Sequence, residues 1–339
     1  MKQPLITRAA YLQIYIDIFR DVGIPVERQL SSSRLPRLIE EQPDAFISLP
    51  LALEWIARTG YDLAPMELGF LASEGLTLDS LDGAMLAAVL DAPTGLARIE
   101  RFFRLHALED NSVTPRMSRE GDNVRLIIEN LSLDQHPYAC LAQWLNLRAV
   151  IAVVQSIASE GWSPPEITFV AGFQVPESAQ AAFPNTIVLT GQPNTSVLIE
   201  AQLLSQSCTE MASKDAVRGE EPLALNCEES WAFKSALRNM IQPYPSDGRS
   251  DLVSTAELAG MSTRTLQRRL MLCGTSYGDL VQEARFEVAR TMLSDSTTKV
   301  RDVAMMSGYE NPQHFSRAFR RMTGVSPSEY RHNRTHRET

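Results

Sequence analysis

Apolar positions along the chain change period four times. From Tyr11 to Phe19 they fall at 11, 12, 14, 15, 16, 18 and 19, ahead of Gly23-Ile-Pro25, which predicts a short buried helix and a turn. Ser31 to Glu41 is polar and proline-punctuated, hence a loop. Leu51, Leu53, Trp55 and Ile56, then Leu63 to Leu71, predict two helices split at Tyr61–Pro65. Leu81 to Leu90 and Gly95 to Leu108 predict two more, the second presenting Leu96, Ile99, Phe102, Phe103 and His106 at helical spacing. After Asp110 the period shortens. Arg116 to Arg119 and Asn123 to Leu131 flank Gly121-Asp122 and predict a hairpin. A long helix over His136 to Glu160 follows, with a thick apolar face from Leu141 to Ile157. Short strand-like runs then sit at Glu166–Val170, Asn185–Leu189 and Ser196–Ile199. Helices around a small sheet predict an α+β domain over residues 1–205. Residues 206–227 are polar and patternless, as a linker is.

Helical periodicity returns near Glu228–Ser230 and passes through Trp231, Phe233, Ala236, Leu237 and Met240. The next stretch holds one pattern written twice. Its first copy is Ala256-Glu-Leu-Ala-Gly260-Met-Ser262-Thr-Arg-Thr-Leu266-Gln-Arg268-Arg-Leu270. Its second is Ala304-Met-Met-Ser-Gly308-Tyr-Glu-Asn-Pro-Gln-His-Phe315-Ser-Arg317-Ala-Phe319. Each short apolar helix stops at a glycine. Ser262 in one copy and Asn311 in the other then cap a second helix, and Pro312 suits a first helical position because its missing N–H costs nothing there. Leu266 and Leu270, or Phe315 and Phe319, form an i,i+4 inward stripe. Arg264, Gln267 and Arg268, or Gln313, His314, Ser316 and Arg317, are left facing outward, with Arg320 and Arg321 beyond. That is the sequence form of two helix-turn-helix units, so an all-α domain is expected over 228–335, with 336–339 a tail. A helix from Tyr277 to Leu293 separates the copies.

Charge supports this division. The chain carries a net charge of −9, yet residues 250–339 hold 13 Arg+Lys against 10 Asp+Glu, while the rest holds 19 against 31. An acidic body with a mildly basic C-terminal domain suits a protein whose tail meets double-stranded DNA. Arg pairs bidentately with guanine and Gln with adenine, which makes the outward Arg and Gln side chains base-reading candidates. The competing reading of any one of them is a solvated helix face; two copies with matching caps, glycines and stripes argue against it.

Residues 228–335 are thus similar to the DNA-binding domain of AraC/XylS-type transcription regulators. The carrying residues are Ala304-x3-Gly308-Tyr, Phe315-x-Arg317-x-Phe319-x3-Thr323-Gly-x-Ser-Pro327-x2-Tyr330-Arg331, and the first copy's Gly-Met-Ser-x-Arg-Thr-Leu-Gln-Arg-Arg-Leu. By position, the resemblance assigns base and backbone contacts to Arg264, Gln267, Arg268, Gln313, His314, Ser316 and Arg317, and phosphate contacts to Arg320 and Arg321. Residues 12–205 resemble, by order of elements, the effector domain of the subgroup named for arabinose binding, a name that implies no sugar. The resemblance implies a small-molecule effector, a homodimer, RNA polymerase as partner, and activation of transcription.

Within the effector domain, Phe103, His106 and Trp144 are the candidates for effector contact; a satisfied core histidine competes at His106. Arg101, Arg104 and Arg119 could pair with an acidic effector. The Trp144–Ile157 stripe is expected to serve core and dimer interface. No catalytic constellation, phosphate loop, cofactor site or metal-ligand spacing is visible. Cys140, Cys208, Cys227 and Cys273 are scattered and lack basic flanks, which disfavours an enzyme or a DNA-repair methyl acceptor. Without a signal-like or membrane-length apolar run, a cytoplasmic protein is expected. The remaining alternative is a regulator that needs no effector and whose N-terminal domain only oligomerises.

Overall fold

The computed structural model describes residues 3–130, 133, 136–208, 233–244, 251–294 and 298–335. The linker body, the start of the Trp231 helix, Ser250 and the tail lie outside the described residues. Two compact units result, and they do not follow chain order: one joins Met1–Ala10 and Arg34–Ser48 to Trp231–Thr339, the other joins Tyr11–Ser33 to Leu49–Ser230.

In the second of these, the helices are α1 (Ala9–Asp21, from Tyr11 on), α2 (Val26–Ser32), α3 (Leu49–Thr59), α4 (Pro65–Glu74), α5 (Gly83–Leu90), α6 (Gly95–Glu109), α7 (Ala139–Gln155), α8 (Glu177–Ala182) and α9 (Gln202–Ser205). A five-stranded sheet runs in the order β3 (Val113–Glu120), β4 (Asn123–Asn130), β7 (Thr195–Glu200), β5 (Glu166–Thr168), β6 (Ile187–Leu189). Only β5 and β6 are parallel. The hairpin turns at Gly121, whose φ of +64° suits a residue without Cβ. The domain is therefore α and β with a small sheet, as its alternation of periods predicted.

α7 is the axis of this unit. Trp144 meets Phe70 at 5.0 Å and Phe169 at 4.5 Å between ring centroids. α4 lies close enough that a Cβ on Gly69 would come within 3.1 Å of the α7 backbone. Two expectations are corrected here. The helix begins at Ala139, after a turn in which His136 Nδ1 accepts the Tyr138 N–H, and it stops at Gln155 rather than near Glu160. At that end Arg98, only 1% exposed, donates from its guanidinium to the Ser156 carbonyl at 2.9 Å and to the Leu90 carbonyl, capping α7 and α5 together. The stripe read as core plus dimer interface is core alone. Trp144, Leu147, Val150, Val153, Val154 and Ile157 are all buried within the single chain, so none is left for a partner subunit.

The other unit opens with a strand pair no short-range pattern signalled, β1 (Ile6–Arg8) with β2 (Phe46–Ser48), antiparallel. Its helices are α10 (Phe233–Ile241), α11 (Leu252–Leu258), α12 (Thr263–Leu272), α13 (Tyr277–Ser294), α14 (Val300–Met306), α15 (Pro312–Thr323) and α16 (Pro327–Thr335). Among the described residues no helix is long and apolar enough to cross a membrane.

Candidate functional site

The doubled pattern folds into two local structures with the same order of parts, the second turn being one residue longer. In α11, Asp251 caps the start through bonds from the Val253 and Ser254 amides, which hold its carboxyl below the usual range, the Ser254 bond most. The helix ends when Gly260 takes φ +62°; its N–H donates to the Glu257 carbonyl and the Met261 N–H to Ala256. In α14 the same role falls to Gly308 at φ +85°, with Gly308 N–H to Met305 and Tyr309 N–H to Ala304. Both are Schellman ends, which need a left-handed residue. The following helix is capped by Ser262 in one copy, whose Oγ accepts from the Thr265 amide, and by Asn311 in the other, whose Oδ1 accepts from Gln313. The inward stripes are buried: Leu266 and Leu270 in α12, Phe315 and Phe319 in α15.

This packing fixes which face of each helix is free. Arg264, Gln267 and Arg268 are exposed on α12; Gln313, His314, Arg317, Arg320 and Arg321 are exposed on α15. Ser316 is half-buried and its hydroxyl donates to the Pro312 carbonyl at 3.0 Å, leaving its lone pairs to accept. Arg268 and Arg269 differ sharply despite adjacency. Arg269 is 6% exposed and lies 4.0 Å over the Phe233 ring, so it is a packing residue. No carboxylate forms an ion pair with Arg264, Arg268, Arg317, Arg320 or Arg321 among the described residues. Five exposed guanidinium groups on helix faces held by buried stripes suit a polyanion. Sequence reading passed over Met271, which is 76% exposed on the same face of α12, seven residues after Arg264.

In the other unit, Phe103, His106 and Trp144 are all buried, but they are not one cluster of like chemistry. Trp144 is clasped by Phe70 and Phe169. His106 stacks on Phe102 at 5.2 Å and joins a polar chain: its Nε2 is 3.0 Å from Asn146 Oδ1, its Nδ1 3.4 Å from the Tyr11 hydroxyl, which donates to Glu109 at 2.7 Å. Arg101 is engaged with the Ala88 carbonyl and Asp91. Tyr11, Gln143 and Asn146 were missed by sequence reading. The signal was there, in two amides three residues apart within the otherwise apolar run from Ala139 to Leu147.

Cysteine chemistry finds no support at Cys140: burial pushes its thiol up to about 12, the reverse of an activated thiolate. Cys227 lies outside the described residues.

Taken together, a doubled helix-turn-helix module and a separate α and β domain built around one buried helix define a two-domain regulator fold. Comparison with known proteins gives the family. Residues 23–208 match the model described as the arabinose-binding domain of AraC transcription regulators, N-terminal, and residues 255–333 match a helix-turn-helix domain. The chain belongs to the AraC family of transcription regulators, which are not enzymes. Among curated relatives, the regulator VqsM of Pseudomonas aeruginosa is 39% identical over 90 residues, 26% of each chain. The transcriptional activator NphR of a Rhodococcus species is 35% identical over 95 residues, 28% of each. The ornithine utilization regulator of P. aeruginosa is 32% identical over 111 residues, 33% of this chain and 32% of that one. The chain thus spans about a quarter to a third of the curated relatives it matches. The crystal structure of the regulator CdpR from P. aeruginosa aligns over 93% of this chain and 98% of that one, at 19% identity and a TM-score of 0.37.

Proposed function

We propose that the protein is a cytoplasmic, effector-responsive transcription activator that reads one asymmetric DNA site with two helices of a single chain. In this reading Arg264, Gln267 and Arg268 on α12, and Gln313, His314, Ser316 and Arg317 on α15, meet bases or the adjoining backbone. Arg320 and Arg321 meet phosphate. α13, with 18 residues, is about 27 Å long at 1.5 Å per residue. That length suits two recognition helices set about one B-DNA turn, ~34 Å, apart. Domain limits of 1–205, 206–227 and 228–335 go with it, as do a homodimer and RNA polymerase as partner. The observation that carries the reading is the exposed arginines, outside any ion pair among the described residues, on each of two similarly capped helices.

The experiment is quantitative binding of the full chain to a selected DNA site and to scrambled sequence, at several salt concentrations. Arg268→Ala and Arg317→Ala are expected to weaken the selected site far more than scrambled DNA, and Arg320→Ala to weaken both and reduce the salt slope by about one. Unchanged binding by both of the first two variants would remove α12 and α15 as the readers.

The N-terminal domain is read as the effector domain, with Phe103, His106 and Trp144 near the ligand. Melting of the full chain against a broad metabolite library tests it, because a ligand that binds only the folded state raises the midpoint. The rival reading is a domain that only oligomerises, and the same melting experiment separates the two, since that domain would answer no ligand.

A further inference from the structure

α7 carries two amide side chains into the core. Gln143 is 0% exposed and Asn146 5%. Three residues apart, they are neighbours on one face of the helix, and Leu147 and Val150, each four residues on from one of them, continue that face into the apolar core. Neither Oε1 nor Nε2 of Gln143 has a hydrogen-bond partner among the described residues, and neither has Nδ2 of Asn146. Buried amides in native cores are almost always bonded, because an unmet one has given up its bonds to water for nothing. Leucine or methionine would fill the same space without that loss.

The surroundings say what would satisfy them. His106 Nε2 lies 3.0 Å from Asn146 Oδ1 and fixes that end of the asparagine amide. Tyr11 and Glu109 brace the far side of the imidazole. The Gln143 amide then offers two N–H donors and one carbonyl oxygen, and no charged side chain bonds to it among the described residues. An ionised ligand would be buried without a counter-charge, which is costly. Phe102, stacked on the His106 ring that meets Asn146, supplies aromatic surface at this end of the core.

We propose that Gln143 and Asn146 are the polar end of the effector site. Its ligand is a small uncharged molecule that presents an acceptor and a donor side by side, as a carboxamide does, on an aromatic or aliphatic body. His106 and Tyr11 are positioning residues that orient Asn146. This deepens the effector-domain reading and rests on it.

The test uses the full chain with benzamide as probe and benzoate as its charged isostere, read by thermal melting and calorimetry. Benzamide raises the melting midpoint and benzoate does not. Gln143→Leu abolishes the benzamide response, with affinity lost roughly tenfold or more, and raises the midpoint of the unliganded protein, because the unmet amide is gone. A role confined to structure would lower that midpoint instead, and this result overturns the proposal. Should Gln143→Leu fail to fold, Gln143→Met carries the same comparison. A benzamide shift that survives in both Gln143→Leu and Asn146→Leu overturns this site while leaving a ligand-binding domain in place. So does a wild-type chain that answers benzoate or a charged library member and not benzamide. A wild-type chain that answers nothing in the library overturns the domain reading as well.

Discussion

The two helix-turn-helix units share a frame and hold it by different means. The second is self-contained: Phe315 and Phe319 sit among Tyr309, Phe286 and Tyr330 at centroid distances of 5.2 to 5.6 Å, an aromatic cluster supplied by its own helices and the two beside it. The first has an aliphatic stripe, Leu266 and Leu270, and borrows support from chain segments more than two hundred residues away. Ser48 Oγ donates to the Leu258 carbonyl at the end of α11 at 3.0 Å, Arg34 pairs with Glu257 at 2.7 Å, and the Tyr244 hydroxyl donates to the Arg34 carbonyl. A repeated motif therefore specifies the turn and the outward face, while the material behind the turn is free to differ. The lesson is that local caps and glycines are the conserved part of the geometry between copies; the core behind them is negotiable provided the volume is filled.

This difference is open to attack at four strengths. Truncating the aromatic cluster should have the largest effect: Phe319→Ala is expected to cost ~3–5 kcal/mol, and urea unfolding followed by hydrogen exchange should show α14 to α16 opening before α11 and α12. Loss spread evenly over both units would mean the second is not self-contained. On the outward faces, Arg268→Ala and Arg317→Ala should each cost ~1–3 kcal/mol at the selected DNA site. The first unit, with Arg264 and Gln267 where base readers stand, should lose more sequence preference than the second, which offers Pro312 and His314; equal losses would make the faces equivalent.

A smaller effect tests the borrowed support. Ser48→Ala should cost ~1 kcal/mol, since it leaves a helix-end carbonyl unmet in a buried place, and faster exchange should appear in α11 with α14 unchanged. The smallest is acid sensitivity. Asp251 has its carboxyl held low by the α11 amides and the Ser254 hydroxyl, so its contribution is complete above the ordinary aspartate range near ~4 and is lost as pH falls through the lower folded value. Asp251→Asn, which caps without titrating, should flatten that part of the acid limb of a stability-versus-pH curve. A curve unchanged in shape would remove Asp251 from the account.

Much of the DNA-facing unit was legible in the sequence because its determinants are local. Glycine at a helix end, a cap two or three residues later and an i,i+4 stripe each act within a turn or two, so Gly260, Ser262, Asn311 and Pro312 could be placed from spacing alone, and burial of Leu266 and Phe315 followed. Which of two adjacent arginines faced outward also followed from the stripe: Arg268 is exposed, Arg269 covered. In the other unit the longer helices and the hairpin were legible for the same reason, while the short α2, α8 and α9 were not. The ends of α7 were not legible either, one of them being capped by Arg98 from another helix. Nor was the α7 stripe's full burial, because an apolar face does not say whether its own chain or a partner covers it.

What the sequence determined by itself is thus the family of the protein, its two helix-turn-helix units and the side chains each turns outward, all written in contacts of short range. Tertiary structure alone decided that residues 1–10 and 34–48 join the C-terminal helices, through strands of three residues that carry no period of their own. It also decided that Gln143 and Asn146 lie inside, the first without a hydrogen-bond partner among the described residues and the second bonded only through Oδ1, on a helix whose sequence reads as core. Burial and hydrogen bonding are settled by what packs around a residue, and for both features that is chain far away in sequence.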